Sequence, residues 1–326
     1  MVLGVYYLCY EDEAKKNAFL AKPAYEQPHY DTYEEVMQAM EAHRMANENN
    51  HNAREPINEG LGIHDFFYFK NPYYRDPAEA ARIAALTGKE KEAQDAEDRK
   101  MVWGNRKDRW IATTPGRMIY HEIWPEILGF WNKKAVKKDI QGMIKQCHEI
   151  CGHDELLPLL DRLKNLGYSW ATRSGFSIAI SDMLIPADKA DKIAAAERDV
   201  AAARQEQLQG SIDEKVCRQK CIDTWTNVRS DLTKALQETL KANAGRPGIN
   251  SVWAMLESGA RGSADQVTQL GGMRGLMSNT SGEVVETPIL HNFREGLTGL
   301  EYFNSTHGSR KGMAGRCCRR RSARRS

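Results

Sequence analysis

The chain has 326 residues, 41% of them hydrophobic, which is enough for two or three ordinary domains and a sizeable core. Net charge is +2, but residues 315–326 hold six arginines and no acid, and removing those six charges leaves −4 on residues 1–314. So acidic a body excludes the usual basic, free-standing nucleic-acid binder, and any nucleic-acid contact must be local or shared with other subunits. No apolar run approaches the ~20 residues of a membrane span. The opening MVLGVYYLCY has no basic n-region, and Glu11 and Asp12 follow at once. With seven cysteines and no signal peptide, the expectation is a soluble, cytoplasmic protein with reduced thiols.

In chain order, residues 1–20 read as a short buried helix or strand, with Val2, Val5, Tyr6 and Leu8 apolar, continued by the charged run EDEAKK. Val36, Met37, Met40 and His43 form a stripe that predicts a helix from Thr32 to Met45, with Asp31 as its N-cap and Glu34 three residues on. NENNHNAREPINEG is polar and turn-rich, hence a loop. The aromatic run His64 to Lys70 favours a strand. Residues 71–108 are charged and irregular, with a helical patch from Pro77 to Leu86, and read as a surface insertion. Helical periodicity then runs from Lys134 to Ile150 and from Asp154 to Leu166. Leu156, Leu157, Leu159, Leu160 and Leu163 form the apolar face, and Gly167 closes the second helix.

Residues 186–240 make the clearest unit. Pro186 sits at a first-turn position, and Ile193, Ala196, Val200 and Ala203 repeat near heptad spacing to about Leu208. Gln209 and Gly210 break the helix. Ser211 to Glu214 reads as a capping box for a second helix carrying Val216, Ile222, Trp225, Val228, Leu232, Leu236 and Leu240. Two helices joined so tightly must lie antiparallel, each covering the other's stripe. KANAGRPGIN, residues 241–250, is a linker. From Asn292 to about Ala314, Phe293, Leu297, Leu300 and Phe303 predict another helix, with Gly308 and Gly312 inside it at roughly 1 kcal/mol each relative to alanine. The fold class is mainly α with small β elements, α+β, with an antiparallel two-helix arm.

Residues 251–312 are rich in glycine and arginine. Glycine lets backbone approach a ligand closely, and arginine offers planar forks for phosphate, so the stretch is suited to lie beside a polyanion. Gly271-Gly272-Met273-Arg274-Gly275 is not a phosphate-binding P-loop, because no Lys-Ser/Thr follows; taken alone it reads as a solvent loop. Cys147-His148-Glu149-Ile150-Cys151-Gly152-His153 invites a zinc reading, but the spacing suits no familiar knuckle. Cys147 and Cys151 share one helix face, as do Cys217 and Cys221 on another.

SGARGS, GGMRGLM, ETPI, NFREGL and STHGSRKG, in this order and spacing, resemble one family, the bacterial β′ subunit of DNA-directed RNA polymerase. MVLGVYYL, IATTPGR, MIYHEIWP, the Asn132-Lys133-Lys134 cluster and YSWATRSG add to the likeness, which covers about 1–20, 62–70 and 110–314. The resemblance implies a segmentation. Residues 1–110 would follow the catalytic loop, with the insertion near 71–108; residues 111–185 would form a helical pore or funnel region. The 186–240 hairpin would be the rim of the nucleotide-entry channel, where regulatory factors dock. Residues 251–290 would hold the F-loop, and 291–314 the first part of the bridge helix. The break in composition at Gly315 suggests an out-of-frame tail over 315–326; the alternative is a basic tail that binds nucleic acid.

By resemblance, Met255 and Arg261 lie near the entering nucleoside triphosphate, and Gly272, Met273, Arg274 and Gly275 belong to the F-loop. Arg294, His307, Arg310 and Lys311 would face nucleic acid from the bridge helix. Nucleotidyl transfer uses two metal ions. The family holds its Mg2+ on a DFDGD-type loop that is not in this sequence, so no cofactor is expected on this chain and the isolated chain is expected to be inactive. The implied partners are the β, α, ω and σ subunits, the remainder of β′, template DNA and RNA, with no membrane. The rival readings are one piece of a split β′ subunit, or a non-enzymatic coiled-coil interaction protein using the 186–240 arm.

Overall fold

A computed structural model describes residues 1–48, 61–84, 103, 108–242, 249–278 and 283–306. The chain divides into two compact units: Met1–Phe176 with Ser258–Ala260, and Ser177–Glu257 with the residues from Arg261 onward. Mainly helical elements and one small sheet match the expected fold class. No described helix is long and apolar enough to cross a membrane.

In the first unit α1 (Val2–Leu8) buries Val5, Tyr6 and Leu8. After α2 (Glu13–Leu20), α3 spans Tyr33–Glu48. Its cap lies one residue beyond the expected Asp31. Thr32 Oγ1 accepts the Glu35 N–H at 3.3 Å, and the Glu35 carboxylate accepts from the Asp31 and Thr32 amides at 2.9 and 3.4 Å. α4 spans Pro77–Ala84. The sheet has the order β1 (His29–Tyr30), β2 (Phe67–Lys70), β3 (Trp110–Thr113), with β1 parallel and β3 antiparallel to β2. Phe67 is fully buried in a cluster with Val36, Leu61, Met118 and Phe130. The third strand went unread because Trp110 to Thr113 is a short run against a charged segment.

α5 (Pro115–His121) is buried along most of its length. α6 (Lys137–Cys151) and α7 (His153–Arg173) are separated by Gly152 alone, at φ +84°. Gly167 does not end α7. It lies inside the helix, buried, because α1 crosses there at backbone distance. A Cβ on Gly167 would stand 2.8 Å from Met1 Cα, and one on Gly4 1.9 Å from the Gly167 carbonyl oxygen. The main core gathers Val5, Leu8, Tyr120, Leu128, Ile140, Met143, Leu159 and Leu163 around this crossing. Trp103, read from sequence as part of a surface insertion, belongs to that core: its backbone N–H donates to Leu128 O at 2.8 Å and its indole to Gln146 Oε1 at 2.7 Å.

In the second unit α8 (Lys189–Leu208) and α9 (Glu214–Lys241) fold back on one another, with Gly210 at φ +75° in the turn. Ala196, Val200, Cys217, Cys221 and Trp225 fill the seam. Pro186 lies three residues before α8, in the preceding turn, and Asp213, not Ser211, caps α9 by accepting from Glu214 N at 2.9 Å. α10 (Ser251–Ser258) starts on Asn250, whose Oδ1 accepts from Val252 and Trp253 amides at 2.9 and 3.1 Å. α11 (Ala264–Gly271) carries a Ser263/Gln266 capping box and packs with Leu236, Leu240 and Val252 through Val267.

Candidate functional site

Gly271, at the end of α11, sits where only glycine fits. A Cβ on Gly271 would stand 2.4 Å from the Leu184 carbonyl oxygen. The chain then turns through Gly272 and buries Met273 completely in the hairpin seam beside Trp225 and Leu232. Gly275, at φ +81°, pairs with Ile289 by two backbone hydrogen bonds of 3.0 Å. Further out, Ser278 bridges Val284 and Val285 N–H donates to Met277 O at 2.8 Å. The described residues on either side of this glycine-rich stretch therefore meet at two isolated β-bridges, rooted against the paired helices through Met273.

The segment after Ile289 locks that root. Asn292 is fully buried, donating from Nδ2 to the carbonyls of Gly271 and Gly272, each at 3.1 Å, while its Oδ1 accepts from Glu295 N at 2.8 Å. Glu295 in turn pairs with the nearly buried Lys189 of α8. Arg274 reaches over the same segment. Its Cζ lies 4.9 Å from the Phe293 ring centroid and its Nη1 donates to Ser305 Oγ at 2.9 Å. Its Nε is buried and finds no hydrogen-bond partner among the described residues, and burial lowers the guanidinium pKa.

The segment after Asn292 is not helical at once. Residues 293–295 turn, Gly296 takes φ +88°, and the helix occupies 299–306. The helix thus starts seven positions later than the expected Asn292, because Asn292 is used to hold the glycine pair and Gly296 breaks the helical path. Thr298 is the cap. Glu301 N donates to Thr298 Oγ1 at 3.4 Å, and the Glu301 carboxylate accepts from Thr298 N at 3.0 Å and Thr298 Oγ1 at 2.9 Å. That carboxylate also accepts from Leu290 N at 3.2 Å, with His291 Nδ1 at 2.9 Å. Burial pushes its pKa up, but the hydrogen bonds from His291 and Thr298 outweigh that and hold it at about 2.

Of the residues singled out from sequence, Gly272, Met273, Arg274 and Gly275 come together with Phe293 and Asn292 as one clasp. Arg294 is exposed, donating to Met183 O at 2.5 Å, and its backbone N–H donates to Leu270 O at 3.3 Å. Met255 is half-buried on α10, and Arg261 is exposed in the turn before α11. His307, Arg310 and Lys311 lie outside the described residues, as do Gly308, Gly312 and the tail from 315 onward. Asn292 and Glu301 were missed. For Glu301 a signal existed: Thr298-Gly-Leu-Glu301 is a capping-box pattern. The Cys147–His153 run places Cys147 in the core and the His148 and His153 rings edge-to-face with centroids 6.3 Å apart. Among the described residues no group of three or more His, Cys, Asp or Glu side chains could hold a metal ion.

Two family models match the chain: RNA polymerase Rpb1, domain 3, over residues 1–183, and RNA polymerase Rpb1, domain 4, over residues 211–301. The DNA-directed RNA polymerase subunit beta' of Methylacidiphilum infernorum (isolate V4) is 40% identical over 258 residues, covering 79% of this chain and 17% of that protein. The subunit beta' of Opitutus terrae is 44% identical over 216 residues, 66% of this chain and 16% of its own. That of Aliarcobacter butzleri is 45% identical over 209 residues, 64% of this chain and 14% of its own. The chain therefore spans only 14–17% of the length of these relatives. With more than half of its residues under one of the two models, the chain belongs to the RNA polymerase Rpb1 family, as part of a β′-type subunit of DNA-directed RNA polymerase.

Proposed function

We propose that this chain supplies the nucleotide-entry side of an RNA polymerase cleft: the 186–240 hairpin as channel rim, the glycine-rich stretch from Gly271 as F-loop, and the helix over 299–306 as the beginning of the bridge helix. The observation that carries this reading is the clasp of Arg274 and Asn292. It ties the glycine-rich loop to the start of that helix, so a shift of one element is felt by the other. Met255 and Arg261 would guide the incoming triphosphate, Arg261 as an exposed guanidinium fork. Arg294, His307, Arg310 and Lys311 would face nucleic-acid phosphate.

In this reading the activity is templated RNA synthesis from ribonucleoside triphosphates, and it belongs to the assembled enzyme. The Mg2+ ions would be held by carboxylates on another part of β′, and the partners are β, α, ω, σ, the rest of β′, DNA and RNA, in the bacterial cytoplasm. Channel-binding regulators would dock on the hairpin. Co-expression of the tagged chain with β, α and an aspartate-bearing β′ piece tests this. Retention of all of them through a salt wash supports it; a chain that elutes as a monomer and carries none of them overturns it.

A further inference from the structure

Two cysteine pairs recur at one spacing, Cys147/Cys151 on α6 and Cys217/Cys221 on α9. Four residues is about one helical turn, which sets the two side chains on one face with Cβ atoms about 5–6 Å apart. In each pair burial, and then the neighbouring thiol, pushes the pKa of one sulfur up, and all four are free of disulfides. The pairs differ in access. Cys217 and Cys221 are 4% and 2% exposed beneath α8, and Cys217 Sγ donates to the Ala203 carbonyl at 3.5 Å. Cys147 is walled in by the core, but Cys151 is half-buried at the last residue of α6. The next residue is Gly152, and nothing stands within 4 Å of where its Cβ would be. One dithiol therefore opens at a helix end and the other is sealed in a helix seam.

We propose that Cys147 and Cys151 form a binding site for trivalent arsenic compounds, arsenous acid and its mono-organic derivatives. A zinc ion would need two thiolates and two further ligands, and no third ligand gathers among the described residues. Burial, with Cys151 beside it, pushes the Cys147 thiol up to about 11, so this sulfur keeps its proton at neutral pH. Trivalent arsenic condenses with neutral thiols. Two S–H and two As–O bonds break, two As–S bonds form, and each released hydroxyl leaves as water with a thiol proton. No electrons are transferred and the product is uncharged, which suits the hydrophobic core in which Cys147 is buried and which would penalise an ion. Two sulfurs one turn apart close a ring, which a single thiol cannot do.

The test uses the full chain carrying Cys317→Ser and Cys318→Ser, which removes the adjacent pair near the C-terminus. The reduced protein is treated with phenylarsine oxide, whose one oxygen leaves as water, then challenged with excess monothiol and read by intact mass. One adduct should survive the monothiol and be released by a small dithiol. It should be lost in Cys147→Ser and in Cys151→Ser, and kept in Cys217→Ser. If Cys147→Ser fails to fold, Cys151→Ser decides, with far-UV circular dichroism to show native helix. No surviving adduct, an adduct that persists in Cys151→Ser, or one lost in Cys217→Ser overturns the site.

Discussion

Replacing Asn292 by alanine tests the clasp at its centre. The side chain is fully buried and makes three hydrogen bonds, to the carbonyls of Gly271 and Gly272 at 3.1 Å each and from Glu295 N at 2.8 Å. Each buried partner left without a mate costs about 1–3 kcal/mol. Partial rearrangement and water entry recover some of that, so the expected loss is about 2–5 kcal/mol, a large fraction of the ~5–15 kcal/mol that holds a domain together. Asn292→Asp is expected to be at least as damaging. It keeps an acceptor for Glu295 N but turns two donors into a carboxylate facing two carbonyl oxygens. Urea unfolding gives the stability, and amide exchange at residues 271–275 and 292–296 localises it. Loss of protection should concentrate in those two stretches. A change below about 0.5 kcal/mol, the range of ordinary surface substitutions, with unaltered exchange, would refute the reasoning.

Gly4→Ala forces a Cβ to within 1.9 Å of the Gly167 carbonyl oxygen and 2.7 Å of the Ala171 nitrogen, both backbone atoms. Overpacking costs about 1–3 kcal/mol, and here neither neighbour is a side chain that can rotate away, so the upper end is expected; an unchanged melting temperature would contradict the crossing. Glu11→Gln leaves Arg117, 2% exposed, without its carboxylate at 2.6 Å, and should cost about 3 kcal/mol at neutral pH. Adding Arg117→Met should recover most of that loss in chemical denaturation, and a double variant no better than the single one would count against the pair. Glu301→Gln should destabilise the chain near pH 6. The Glu301 carboxyl is held at about 2, below its ordinary value of 4.5, so the stability it confers is present above the ordinary value and fades as pH falls from there towards about 2. The gap between wild type and variant, followed by denaturation against pH, should close over that window, and a gap that is constant with pH would tell against the hydrogen-bonded carboxylate.

Much of the scaffold was legible because long helices write their faces into the sequence. Ala196, Val200, Trp225 and Leu232 of the expected stripes lie in the hairpin seam, but Cys217 and Cys221 take the places read for Val216 and Ile222, and Val216 is 45% exposed. Caps were misplaced by one or two residues, at Thr32 and Asp213, because several polar residues before each helix can serve and only the backbone path selects one. Gly167 was misread for a deeper reason. A glycine looks the same in sequence whether it ends a helix or lets a second backbone approach, and only the α1 crossing distinguishes the two. Trp103 was hidden because its surroundings are charged, while its partners Leu128 and Gln146 are remote in sequence. At the candidate site, glycine and arginine marked the loop. The residue that fastens it, Asn292, carries no local pattern, since its hydrogen bonds run to carbonyls some 20 positions earlier.

The central claim is that this chain lines a cleft where RNA grows while the metal-holding acids sit on another part of β′. The most direct measurement is extension of a labelled RNA primer on a DNA template by β, α, ω and an aspartate-bearing β′ piece, with and without this chain. The account predicts Mg2+-dependent extension only when the chain is present, and none by the chain alone. Extension by the chain alone, or equal extension when it is omitted, would contradict it.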